Sequence, residues 1–311
     1  MTDFHVMAGA DGLVCHPEVR RLRFADLSDA LAKGLDDFGA KPSHLLFLGL
    51  IYPVMGLVLT RWSAGSGALQ MIYPLMSGFA LIGPFAAIGL YEISRRREAG
   101  LDASWQHALA TRHSPALPAM LAVGALLAVI FLAWLGTAQA IFASTFGSSE
   151  LGTTGLGTTG LASDLGASAR GTDGLGAVGL GSGGLEAIGV FRLGGFLDEV
   201  LTTERGWRLI LLGNAAGFAF AVLVLSTTAV AFPLLLDRDV GAIAAIETSA
   251  RVVAANPPVM AGWGAIVAGL LVLGALPLFA GLAIVMPVLG HATWHLYRKA
   301  VVPANRRPAG R

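Results

Sequence analysis

Apolar and polar positions alternate along this chain in long blocks rather than short periods. Five stretches are nearly free of charge: residues 44–60, 71–93, about 115–142, 207–236 and 259–289. A hydrocarbon layer about 30 Å thick needs about 20 apolar residues in a helix to cross it, so each block predicts at least one membrane span. The last block is 31 residues long. As one bent helix it would reach about 46 Å, more than ordinary tilt absorbs. A hairpin near Gly274 to Pro277 divides it into two short spans and brings the total to six.

Charge bias selects between these alternatives, because short loops rich in Lys and Arg stay on the cytoplasmic side. With six spans the inner pieces are the N-terminal region, residues 94–114, residues 237–256 and the C-terminal tail, which together hold 16 of the 21 Lys and Arg residues. Four of the five exceptions (Arg61, Arg170, Arg192, Arg205 and Arg208) lie in one long loop or at its edge, where the rule has little force. Five spans would put Arg298, Lys299, Arg306, Arg307 and Arg311 outside.

An internal repeat points the same way. "YPLMSGFALIGPFAAIGLYEISRRR" (73–97) overlays "LPLFAGLAIVMPVLGHATWHLYRKA" (276–300) without a gap, matching Pro74, Leu75, Gly78, Ala80, Pro84 and Arg95 to Pro277, Leu278, Gly281, Ala283, Pro287 and Arg298. If the first copy is one inward-running span, so is the second.

Three amphipathic segments precede the odd-numbered spans. The first carries Leu27, Leu31, Leu35 and Phe38 on one helical face, with Asp29, Lys33, Asp36 and Asp37 elsewhere. The second presents Leu101, Trp105 and Leu109, the third Ile243, Ile246, Ala250 and Val253. Each reads as a helix on the membrane surface. Ser114-Pro115 and Asn256-Pro257 suit helix starts, the polar side chain capping free N–H groups and proline taking the first turn.

The resulting fold class is all-α and polytopic: six transmembrane helices as three hairpins, each preceded by a cytoplasmic interfacial amphipathic helix, with both termini inside. Residues 1–25 form a cytoplasmic tail, 26–302 the membrane domain and 303–311 a second tail. Residues 143–206, inserted between the third and fourth spans, are expected to form a mostly flexible Gly-rich external loop. No Lys-Ser or Lys-Thr follows its glycines, so it is no phosphate-binding loop.

Composition agrees with a membrane protein: 55% of residues are hydrophobic and 13% charged. A net charge of +1 gives no reason to expect a nucleic-acid partner. The single cysteine, Cys15, forms no intramolecular disulfide and reads as a bystander thiol. No removable signal is visible in the first 43 residues, so the first span is expected to direct insertion.

Candidate chemistry is sparse. His291 and His295 share one face of a helix, a spacing that suits a two-ligand metal or haem site. His44, His107, His113, His5 and His16 fall at span edges, on a surface helix or in the tail, so no further ligand joins the pair. With Trp294, Tyr297, Arg298 and Lys299 the pair resembles a cytoplasmic interface belt, and no cofactor is expected. Buried ionisable groups would mark an ion pathway, yet Glu92, Arg95, Asp237, Arg238 and Asp239 cluster at the cytoplasmic ends, where salt-bridged, solvated edges are expected. Together with His291, Trp294 and His295 they form a candidate cytoplasmic-edge cluster. Pro74, Pro84, Pro277 and Pro287 predict kinks in the second and sixth spans.

"GPFAAIGLYEISRRREAG", "FPLLLDRDVGAIAAIETSARVVAANP" and "PVLGHATWHLYRKAV" resemble the bacterial integral-membrane family called domain of unknown function 2189, over about residues 20–302, with the third segment the most specific. The resemblance implies a multi-pass protein of the bacterial inner membrane. Some members carry a cytochrome c oxidase label, which is not carried over because the intramembrane histidines for haem and copper are missing. The functional expectation is a non-enzymatic protein with no catalytic residue, a scaffold or assembly factor. Its partners are the lipid bilayer and another membrane protein. The alternatives are a small-solute permease built on the kinked spans and a respiratory-chain or metal protein using His291 and His295.

Overall fold

A computed structural model of the chain describes residues 17–40, 87–104, 114–146, 198–238, 240–276 and 281–303. The first span, most of the second, Pro53, Pro74, Pro84, Pro277, Cys15, Asp239, residues 147–197 of the Gly-rich loop and most of the second surface helix lie outside the described residues. The described residues form helices α1 (Phe24–Ala40), α2 (Ile88–Glu98), α3 (Leu117–Phe146), α4 (Glu204–Thr228), α5 (Ala231–Asp237), α6 (Ala242–Ala255), α7 (Pro257–Ala275) and α8 (Leu282–Ala300). Among the described residues no strand occurs beyond an isolated bridge between Val19 and Val301.

Among the described residues three helical stretches are long and apolar enough to cross a membrane: α3, with 30 residues, α4 and α5 together, with 34, and α7, with 19. The second of these is interrupted at Ala229 and Val230. Pro233 is the sequence cause, because it has no N–H to give the carbonyl four residues back, which is that of Ala229. The Ser249 hydroxyl of α6 accepts the Val230 amide at 3.4 Å and so supports the break.

Packing divides the chain into two units, residues 1–57, 79–131 and 220–311, and residues 58–78 and 132–219. In the second unit Trp134 is buried, and its ring lies 3.3 Å from where a Cβ on Gly217 would stand. The first unit carries the main core, with Met120, Phe232, Leu234, Met260, Trp294 and Tyr297 fully or almost fully enclosed.

Helix α1 docks on α8 within that unit. Its buried stripe is Leu27, Ala30, Gly34 and Asp37, at steps of three, four and three residues. A Cβ on Gly34 would stand 2.7 Å from the backbone nitrogen of Ala292, so this close crossing requires glycine. Leu35, expected on the membrane-facing side of a surface helix, is 58% exposed, and Phe24 is also exposed. Leu27 is enclosed as well, Gly34 is the small residue that lets the backbones approach this closely, and Phe24 and Leu35 point outward. Helix α6 behaves alike: Ala244, Ala245, Thr248, Ser249 and Val252 are buried, whereas Ile243 is exposed.

Asn256 departs from its expected role. Its side chain makes no cap bond to α7. It accepts the Leu22 amide at 2.7 Å and donates to the carbonyls of Arg20, at 3.1 Å, and Val252, at 3.0 Å. Two prolines open α7 and leave few amides to cap, which frees the amide group to hold the N-terminal segment. That segment also pairs with the other end of the chain, through Arg20 N–H to Ala300 O at 2.8 Å and Val302 N–H to Glu18 O at 2.9 Å.

Candidate functional site

Three helices deliver the polar side chains. The arginine turn of α2 ends on Gly100, whose φ of +67° suits glycine. Gly100 N–H bonds to Arg97 O and Leu101 N–H to Arg96 O, a paired motif that terminates the helix and fixes Arg95, Arg96 and Arg97 at its carbonyl end. Against α2 lies α8, and a Cβ on Gly290 would stand 2.6 Å from Leu90 Cδ1. Helix α1 brings Asp37.

These side chains form one hydrogen-bonded chain. The Ser94 hydroxyl is 2.6 Å from Asp37 Oδ2 and 2.5 Å from His291 Nδ1. His295 Nε2 is 2.9 Å from the same Asp37 oxygen. Arg97 donates to Asp37 Oδ1 and, at 3.2 Å, to Asp36. Asp37 and His291 are buried, at 4% and 0% exposure.

The proton positions follow from this network. A charged Asp37 only accepts, so the one hydroxyl proton of Ser94 points to it. His291 must then donate from Nδ1 to the Ser94 oxygen, which leaves Nε2 unprotonated. Nε2 is buried and has no hydrogen-bond partner. His291 lies beyond the apolar block that ends at Leu289. Burial lowers its pKa from 6.5 to about 4, against the opposing pull of Asp37. Burial alone would raise the Asp37 carboxyl, but hydrogen bonds from His295 and Ser94 outweigh it and hold the group below its ordinary value.

Ser, His and Asp together invite comparison with a nucleophilic triad, and the order excludes it. In a triad the imidazole stands between hydroxyl and carboxylate. Here the hydroxyl stands between imidazole and carboxylate, and Ser94 is fully buried. The arrangement can join helices, but cannot present a nucleophile to solvent.

The other cluster residues surround this joint. Glu92 is buried and paired with Arg95 at 2.7 Å and Arg96 at 3.6 Å, so it is not the solvated edge the sequence suggested. Trp294 is buried and donates to Glu98 at 2.9 Å. Tyr297 donates to Asp237 at 2.6 Å, and burial followed by that carboxylate raises its pKa. Arg238 donates to Val302 O at 2.5 Å. Lys299 pairs with Asp29 at 2.9 Å and Asp26 at 3.2 Å, and these bonds raise its pKa. Pro287 lies inside α8. His291 and Trp294, expected in a cytoplasmic interface belt, are both enclosed by protein.

The face shared by His291 and His295 is already engaged, one ring with Ser94 and the other with Asp37. Among the described residues no group of three or more His, Cys, Asp or Glu side chains is placed to hold a metal ion. Sequence reasoning missed Asp37, Ser94, Arg97, Glu98 and Asn256. The one available signal was the stripe Leu27, Ala30, Gly34 and Asp37, in which small residues lead to an acid.

A family model described as predicted integral membrane protein, domain of unknown function 2189, matches residues 72–193 and 189–237. The match ends before the segment at 287–301 that carried the sequence resemblance most specifically. No curated protein and no solved structure matches the chain.

Proposed function

The chain belongs to this family of predicted integral membrane proteins, and on that premise we propose that it is a six-span, non-enzymatic scaffold or assembly factor of the bacterial inner membrane. The reading rests on the polar joint. Residues bonded to one another lie on the same side of the lipid, so the chain between them crosses an even number of times. Ser94 bonds Asp37, Trp294 bonds Glu98, Tyr297 bonds Asp237 and Leu22 bonds Asn256.

Between Asp37 and Ser94 lie two apolar blocks, and between Glu98 and Asp237 lie two more. Between Asn256 and His291 lies the 31-residue block, which parity divides into two crossings. The close approach of Gly274 to Gly281 supports that division: a Cβ on Gly281 would meet Gly274 Cα at 2.8 Å. The basic side chains around the joint make this the cytoplasmic face. Three hairpins then share one inner clamp, built to hold an arrangement in place.

Reporter fusions after Arg311 and within residues 143–206 test the plan: the first is expected inside and the second outside. The functional reading is tested by reconstituting the full chain in vesicles. Absence of saturable solute flux, with a stoichiometric protein partner recovered from native membrane, supports the scaffold. Saturable flux would replace it with a permease.

A further inference from the structure

Four arginines gather where α7 begins. Asn256 holds the backbone of Arg20 and Leu22 beside the first turn of α7. Arg21 donates to Ala255 O at the end of α6, and Arg251 stands one helical turn before that residue. Arg23 immediately precedes α1. All four side chains are exposed, and among the described residues none forms an ion pair with a carboxylate. Asp26, three residues after Arg23, accepts the Arg23 amide at 2.8 Å and pairs with Lys299 at 3.2 Å. The N-termini of α1 and α7 both open here, and each adds partial positive charge.

Apolar surface continues from the same place. Phe24 is exposed, and its ring lies 2.9 Å from where a Cβ on Gly262 would stand. Gly262 is five residues into α7, about 7.5 Å along its axis at 1.5 Å per residue. Beyond it Ala261, Ala265, Ala268 and Val272 are exposed along one side of that helix. Exposed cations at the entry of a spanning helix, with an aromatic ring and a small-residue track running into the apolar layer, match the two parts of an anionic phospholipid.

We propose that Arg20, Arg21, Arg23 and Arg251 bind the phosphodiester headgroup of an anionic phospholipid of the inner leaflet, whose acyl chain lies past Phe24 along α7. This rests on the reading of α7 as a span with its N-terminus inside. The test titrates full-length protein in micelles with phosphatidylglycerol, phosphatidylcholine or inorganic phosphate and follows the thermal midpoint. Phosphatidylglycerol is expected to raise the midpoint saturably. The variant R20Q/R23Q/R251Q should show at least a tenfold weaker apparent affinity with an unchanged lipid-free midpoint, while R205Q/R208Q binds as the parent does.

Equal stabilisation by phosphatidylcholine or inorganic phosphate, or a triple variant that binds like the parent, would overturn the proposal. The topology is read separately by labelling Cys15 with a membrane-impermeant maleimide in intact spheroplasts and in inverted vesicles. Labelling from the outside sinks the topology. Labelling only in inverted vesicles, with lipid binding indifferent to the arginines, sinks the lipid site alone.

Discussion

Helices α7 and α8 are both 19 residues long and follow one another in the chain, yet they are built on opposite principles. Helix α7 is apolar almost throughout and buries little beyond Val259, Met260, Trp263 and Gly274. Helix α8 carries two histidines, an arginine and a lysine, and buries His291, Trp294, Leu296 and Tyr297 among others. In lipid, apolar side chains need no protein partner, so they are free to face outward. Polar side chains must find one another, and their partners fix where the helix sits. Polarity therefore marks the interior here, and disruption should be severe on α8 and its contacts but mild on α7.

The largest effect is expected from Asp37→Leu. It leaves Arg97, His295 and Ser94 without their shared acceptor, and removing one member of a buried charged group costs about 3–5 kcal/mol. Unfolding in a denaturing-detergent titration reads this; a loss below 1 kcal/mol would mean that the joint contributes nothing specific.

Acid should act next. The His291 pKa falls from 6.5 to about 4 in the fold, so the unfolded chain binds the proton first and stability declines as pH falls through that window. At roughly 1.4 kcal/mol per pKa unit the full loss is on the order of 3 kcal/mol. Asp37, facing the ring beside Arg97 and His295, adds a further loss of the same sign at lower pH because its pKa is lowered. The variant His291→Gln should flatten the decline between pH 6.5 and 4, and an unaltered slope would assign the acid sensitivity elsewhere.

Gly34→Leu should cost about 1–3 kcal/mol, because the new side chain meets the Ala292 backbone rather than a movable tip. Thermal melts of Gly34→Ala and Gly34→Leu should fall in that order. The smallest effect is expected on α7, where Val272→Ala and Leu273→Ala remove exposed side chains and should change stability by less than about 0.5 kcal/mol. A loss as large as that at Gly34 would show that this surface is covered by protein.

The same contrast explains what the sequence made legible. Helices α3, α4 and α7 were visible because apolar length is a local property. Asp37 was assigned to the polar side of α1 because amphipathicity assumes one apolar partner. Helix α1 has an inward face of Leu27, Ala30, Gly34 and Asp37 and an outward face bearing Phe24 and Leu35. Asp37 meets Ser94 and His295 at sequence separations of 57 and 258 residues, which leave no periodic trace. Asn256 was read as a cap because its neighbours are local, whereas the backbone it holds is 234 and 236 residues away.

The pairing of Val19 with Val301 has a consequence for biogenesis. Helix α1 precedes α8 in the chain, so 258 residues separate the making of Asp37 from that of His295, its partner. Until then the face of α1 that bears Leu27, Ala30, Gly34 and Asp37 remains uncovered. A chain truncated before α8 cannot hide it, and every incomplete copy therefore carries a signal that distinguishes it from a finished one.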